Sequence, residues 1–236
     1  MVLGLMQPYF FPYLGYFDLV HRSDVWVVFD TAQYISRGWV NRNRILHPAQ
    51  GWQYITVPVA RHALDTPIRD IEIARGSAWA TRIEGQLQHY RRRAPYFDDI
   101  LSLVHECLTP DETSLLRLNV RCLAGVCTRL GIHFEGRLLS EMGLALGPRD
   151  APGDWSLRVA EALGLDECLN PPGGRHLYAP EKFAAAGVRL AIQEPVDFRY
   201  DCAGYGFEAS LSILDVLMWN SPADVRAWLD RRRARA

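Results

Sequence analysis

Two short apolar runs at residues 2–6 and 25–29, "VLGLM" and "VWVVF", bracket a stretch, "LGYFDLVHRSD", whose apolar positions recur at helical spacing. Each run is too short for a helix and lacks polar alternation, so both read as buried strands. A strand, a helix and a second strand in that order form a β-α-β unit, the start of a parallel sheet. The chain therefore falls in the α/β class, with a mostly parallel Rossmann-like sheet and a first helix opening near Tyr13.

Further along, "QYITVPV" (53–59) and "IRDIEIA" (68–74) are strand candidates, the second with imperfect alternation of Ile68, Ile71 and Ile73. From about 77 to 131 the pattern turns helical, with breaks at Ala94-Pro95 and Thr109-Pro110 and with Gly131 placed as a C-terminal cap. A strand-like "IHFEG" follows, then a Gly/Pro-rich join, "LGPRDAPGD", and a helical "WSLRVAEALG". "NPPGG" reads as a loop, "VRLAIQEP" as a strand, and "LSILDVLMWN" and "ADVRAWLDRRRA" as closing helices. The expectation is one α/β domain over residues 1–236 with a helical subdomain at about 77–131.

Composition removes whole classes of function. With 236 residues, 49% of them hydrophobic and 22% charged, the chain can bury a sizeable core. A net charge of −1 provides no overall field toward nucleic acid or an anionic membrane. No stretch approaches the roughly 18 to 20 apolar residues of a membrane span, and the start lacks the marks of a signal peptide, so a cytoplasmic location without membrane insertion is expected. Cys107, Cys122, Cys127, Cys168 and Cys202 are odd in number and form no Cys-x-x-Cys pair, which argues against disulfides and a zinc ribbon. The histidines show no metal-binding spacing, and no cofactor motif is evident; a Gly-Lys-Ser/Thr loop is absent. Lys182 is the one lysine, so anion binding falls to arginines, whose guanidinium grips carboxylate or phosphate as a fork.

The connection after the first strand, "QPYFFPYLGYF", occupies the place where ligands commonly sit in a doubly wound sheet. Its aromatics either plug the sheet end or, with the Gln7 amide and the Tyr9 and Tyr13 hydroxyls, line a pocket. Tyr13-Leu14-Gly15-Tyr16 stands where a nucleotidyltransferase loop carries His-x-Gly-His; both histidines are missing, so that motif's role does not transfer. A second constellation, "FDTAQYISRGWVNRNRIL", runs from Asp30 at a strand end into Trp39, Asn41, Arg42 and Arg44. A carboxylate, an aromatic platform, an amide and forked cations suit a polar ligand with phosphate, carboxylate or sugar hydroxyls.

"MQPYFFPYLGYFDLV", "FDTAQYISRGWVNRNRI", "YITVPV" and "LSILDVLMWNS" together resemble the WbqC-like protein family. The shared features are the aromatic first turn, the Gly-Trp-x-Asn-Arg-Asn-Arg loop at Gly38 to Arg44, and Leu-Ser-Ile-Leu-Asp at Leu211 to Asp215. The resemblance implies a role in bacterial surface-polysaccharide or natural-product assembly. Within that setting the expected activity is transfer of an acyl, aminoacyl or nucleotidyl group from a small-molecule or carrier-protein-linked substrate. The alternative is a non-catalytic sugar-nucleotide or carrier-protein binding module.

The expected site joins Gln7, Tyr9, Tyr13, Trp39, Asn41, Arg42 and Arg44 as binding groups with Asp30 and His176 as catalytic groups. His176 follows "NPPGG", where a loop can present a general base. Cys168 or Cys202 is the alternative nucleophile, but neither sits in a nucleophile turn or a helix-opening position, so direct transfer is expected. Asp215, inside an apolar helix, is expected to pair with an arginine of residues 37–44.

Overall fold

The computed structural model describes residues 1–234 apart from Ser77, Pro110 and Arg149. The expected opening of the helical section at Ser77, the proline of its second break and the arginine of the Gly/Pro-rich join therefore lie outside the described residues.

The opening crossover forms as its pattern requires. Strand β1 (Val2–Met6) leads through the aromatic turn into helix α1 (Leu14–Arg22), and β2 (Val25–Val28) returns parallel to β1 with Leu3 opposite Val25. An antiparallel hairpin, β3 (Arg42–Leu46) and β4 (Trp52–Thr56), stands apart from the main sheet. Three helices follow, α2 (Trp79–Leu87), α3 (Phe97–Cys107) and α4 (Leu115–Leu130), the last ending at Gly131, whose φ of 63° is the left-handed cap expected there. The chain then runs through β5 (Arg137–Leu138), α5 (Asp154–Leu163), β6 (Glu167–Asn170), α6 (Pro180–Ala185) and β7 (Arg189–Ile192). Helices α7 (Ile213–Trp219) and α8 (Pro222–Arg233) close it.

All five strands of the main sheet are parallel, in the order β5-β2-β1-β6-β7. Counting only its own strands, the sheet runs 3-2-1-4-5, the order of a doubly wound nucleotide-binding fold. Burial on both faces explains the unbroken apolar strands. Leu3, Leu5, Val27 and Cys168 pack against α5 and α6 through Leu157, Ala160 and Phe183. Trp26, Val28 and Leu169 face α1 and α8, where Phe17, Val20, Val225 and Leu229 meet them. Within that layer Asp18 of α1 is fully buried and pairs with Arg22 at 3.5 Å and Arg232 at 3.2 Å, with Gln193 donating at 2.7 Å.

Three local expectations change. Residues 68–74 are not a strand: Ile68–Asp70 forms a single 3₁₀ turn after Pro67, and only isolated bridges link Ile73 to Val59 and Glu72 to Ser114. Their isoleucines are buried all the same, which is what gave the strand-like pattern. The ladder expected at 132–136 forms one step later, at Arg137–Leu138 against Val27 and Val28. Asn170, expected to open the "NPPGG" loop, is instead the last residue of β6, an interior strand of the sheet. No helix among the described residues is long and apolar enough to cross a membrane.

Candidate functional site

β1 is followed by chain that crosses to one side of the sheet, and its other neighbour β6 is followed by chain on the opposite side. The divergence opens a crevice at the strand ends, the usual ligand position in such sheets. A cavity of about 700 Å³ occupies it, within the range of small-molecule sites.

One wall is the aromatic first turn. Phe10 and Phe11 are fully buried, and Phe11 holds a left-handed φ of 38°, a conformation that costs a non-glycine residue about 1–3 kcal/mol. Side chains from distant parts of the chain hold the turn's carbonyls in place. Tyr16 Oη donates to Gln7 O at 3.0 Å, and Asn119 Nδ2 to Pro8 O at 2.8 Å and Val40 O at 2.7 Å. Asn43 Nδ2 donates to Phe10 O at 3.1 Å and Phe11 O at 2.9 Å, and Ser212 Oγ to Phe11 O at 2.7 Å. The backbone N–H of Ile213 reaches Pro12 O at 2.8 Å. The first turn, the Asn-Arg-Asn-Arg strand and the Leu-Ser-Ile-Leu-Asp helix start thus form one clamp, in which buried polar backbone meets matched donors.

The comparisons agree with this convergence of motifs. The model of the WbqC-like protein family matches residues 7–227. The chain belongs to the WbqC-like protein family. A protein of Mycobacterium tuberculosis (strain ATCC 25618 / H37Rv) described as "Uncharacterized protein Rv1507c" is 31% identical over 218 residues, covering 91% of this chain and 92% of its own length. No solved structure matches significantly. The three segments that carry the WbqC-like resemblance are those that meet at the clamp.

Five of the expected residues line the cavity together: Gln7, Tyr9, Tyr13, Trp39 and Arg44. Arg44 lies between Trp39 and Trp52, its guanidinium carbon 5.4 and 5.0 Å from the ring centroids, and it donates to Ser210 O at 3.4 Å. Burial raises the phenol pKa of Tyr9 and Tyr13 above the usual value and pushes Tyr178 up to about 12. At neutral pH all three are therefore uncharged hydrogen-bond donors.

The other expected residues are not in the lining. Asn41 is buried and donates to Val57 O at 2.9 Å, tying the residue before β3 to the residue after β4. Arg42 lies 4.0 Å over the Tyr54 ring and donates to Arg37 O. Asp30 is fully buried and accepts from the N–H of Ser140 at 3.0 Å and from its hydroxyl, anchoring the segment after β5. His176 is exposed within the 3₁₀ turn Pro172–Leu177, although its neighbours Gly174, Leu177 and Tyr178 line the cavity. The arginine partner expected for Asp215 is replaced by two tyrosines: Tyr90 donates at 2.5 Å and Tyr200 at 2.6 Å. The carboxylate lies in an apolar layer that phenol hydroxyls reach with less desolvation than a guanidinium requires.

Sequence reasoning missed the opposite wall. Phe29 just after β2, Trp155 and Ser156 of α5, Asn170 at the end of β6 and Tyr178 in the loop after it line the cavity. The available signals were an Asn-Pro-Pro-Gly-Gly turn directly after a short apolar run and a tryptophan at a helix start behind a Gly/Pro-rich join. All five cysteines are buried, and burial pushes both Cys168 and Cys202 up to about 12, away from thiolate chemistry.

Proposed function

We propose that this chain is a cytoplasmic transferase of surface-polysaccharide or related natural-product assembly, moving an acyl, aminoacyl or nucleotidyl group from a small-molecule or carrier-linked donor. The observation that carries this reading is the cavity at the switch point of the sheet, with Arg44, three neutral phenols and the Gln7 amide in its lining. Such groups stabilise negative charge developing on a reacting oxygen, and a shared cavity supplies proximity between donor and acceptor. Buried, high-pKa cysteines favour direct transfer over a thioester intermediate. The pathway rests on the family resemblance.

A second reading has its own observation. Among the described residues, no Asp, Glu, His, Cys or Lys lines the cavity, which suits a binding module that presents its ligand to another protein. Incubation with candidate thioesters and nucleotide-activated substrates, followed by mass spectrometry of small molecules and intact protein, separates the two. Product without a covalent adduct, lost when Gly173→Trp fills the cavity, supports direct transfer. An adduct removed by Cys168→Ser or Cys202→Ser overturns it, and retention without turnover supports the binding module.

A further inference from the structure

In doubly wound sheets the ligand's phosphate commonly rests on the first turn of the helix after β1, against free N–H groups. That position is closed here. The Tyr13 ring lies across the start of α1, so near that a Cβ on Gly15 would stand 2.3 Å from it. Phe10 and Phe11 fill the turn beneath, and a bridge from Tyr13 to Ser212 covers its flank. An anion entering the cavity must find its positive charge elsewhere.

Arg44 supplies it. Among the described residues it is the one charged group of the lining, and the rings of Trp39 and Trp52 lie beside its guanidinium. Its protein contact beyond those rings is the long bond to Ser210 O. Its Nε is buried and meets no partner among the described residues. Across the cavity, Phe29 and Trp155 stand 4.8 Å apart with Tyr178 beside them in the lining, surfaces on which a flat ring can stack. On the floor Asn170 is 1% exposed. It lines the cavity and donates Nδ2 to Cys168 O at 3.3 Å.

We propose that the cavity binds a nucleotide, its phosphate forked by Arg44 and its heterocycle against Phe29, Trp155 and Tyr178. The hairpin cation thus does the work that a helix N-terminus does elsewhere in this architecture. The proposal rests on the cavity being the substrate site and names the chemistry of what enters it.

Titration calorimetry with UMP, AMP, uridine, ribose 5-phosphate and inorganic phosphate tests it. UMP or AMP is expected to bind at least about 10-fold tighter than uridine or ribose 5-phosphate, since a charge-assisted fork and a stacked ring each contribute that much. Arg44→Gln should reduce the nucleotide to the level of uridine, and Trp155→Leu should weaken UMP while leaving ribose 5-phosphate unchanged. Nucleotide binding at no better than the strength of inorganic phosphate overturns the proposal, and that comparison uses the unaltered protein, so it holds even if a variant fails to fold. Gly173→Trp distinguishes loss of the cavity from loss of the Arg44 anchor, since Gly173 is exposed and its Cβ direction is open. Binding lost in Gly173→Trp but retained in Arg44→Gln leaves the cavity as the site and removes Arg44 as the anchor. Binding unchanged in both removes the cavity as well.

Discussion

Asn43→Ala tests whether the aromatic turn is held in place from outside. Asn43 is 3% exposed and serves three backbone groups: it donates to Phe10 O and Phe11 O, and its Oδ1 accepts the Arg44 N–H at 2.8 Å. Phe11 O retains Ser212 in the variant, but Phe10 O and the Arg44 N–H lose their side-chain partner. Two buried orphans at about 1–3 kcal/mol each give about 2–6 kcal/mol of lost stability. Release of the left-handed strain at Phe11 returns about 1–3 kcal/mol, leaving a net loss near ~2 kcal/mol. Ser212→Ala is the control. It removes one of two donors to Phe11 O and the N-cap bond to Leu214 N, for about 1–2 kcal/mol. Urea unfolding followed by tryptophan fluorescence measures both. A loss under about 1 kcal/mol for Asn43→Ala would refute the clamp.

Tyr90→Phe should destabilise more than Tyr200→Phe in the same assay, because the Tyr90 hydroxyl both donates to Asp215 and accepts the Leu46 N–H at 3.0 Å, whereas Tyr200 serves Asp215 alone; equal losses would contradict this. Gly15→Ala should displace the Tyr13 ring and weaken UMP binding several-fold with a smaller change in unfolding midpoint, and unchanged affinity would show that the ring does not shape the cavity. Burial lowers the His21 pKa, outweighing its bond to Asp230, whose charge Arg226 already balances at 2.8 Å. The folded state thus resists protonation: the contribution is intact above the ordinary imidazole value of about 6.5 and is lost as pH falls from there toward the lower folded value. His21→Gln should flatten stability over that window, and an unaltered pH profile would count against it.

The β-α-β opening was legible because β1 and β2 are buried on both faces, which writes an uninterrupted apolar run into the sequence. β6 was illegible for a different reason: it is four residues long, begins with Glu167, ends with Asn170 and abuts two prolines, so only its neighbours β1 and β7 define it as a strand. At the site, the residue types of the Gly38 to Arg44 loop were informative and their individual orientations were not. Arg42 and Arg44 belong to one strand, yet Arg42 ends over Tyr54 and Arg44 enters the cavity. Asn43, passed over between them, both lines the cavity and clamps the first turn. A pairing such as Asp215 with Tyr90 joins residues 125 positions apart, and no local pattern encodes it.

The chain's single lysine has a chemical consequence. Lys182 of α6 reaches across to Asp154 at the start of α5, contacting its carboxylate oxygens at 3.0 and 2.9 Å. That carboxylate also accepts from the N–H groups of Asp150 and Ala151, just before the Pro152 and Trp155 edge of the cavity. An amine-directed reagent therefore meets one side chain in the molecule, and it is one whose acylation would cancel the charge that steadies a cavity wall. A single isotopic or fluorescent tag at that nitrogen would report on the wall's position while every other side chain remained unmarked.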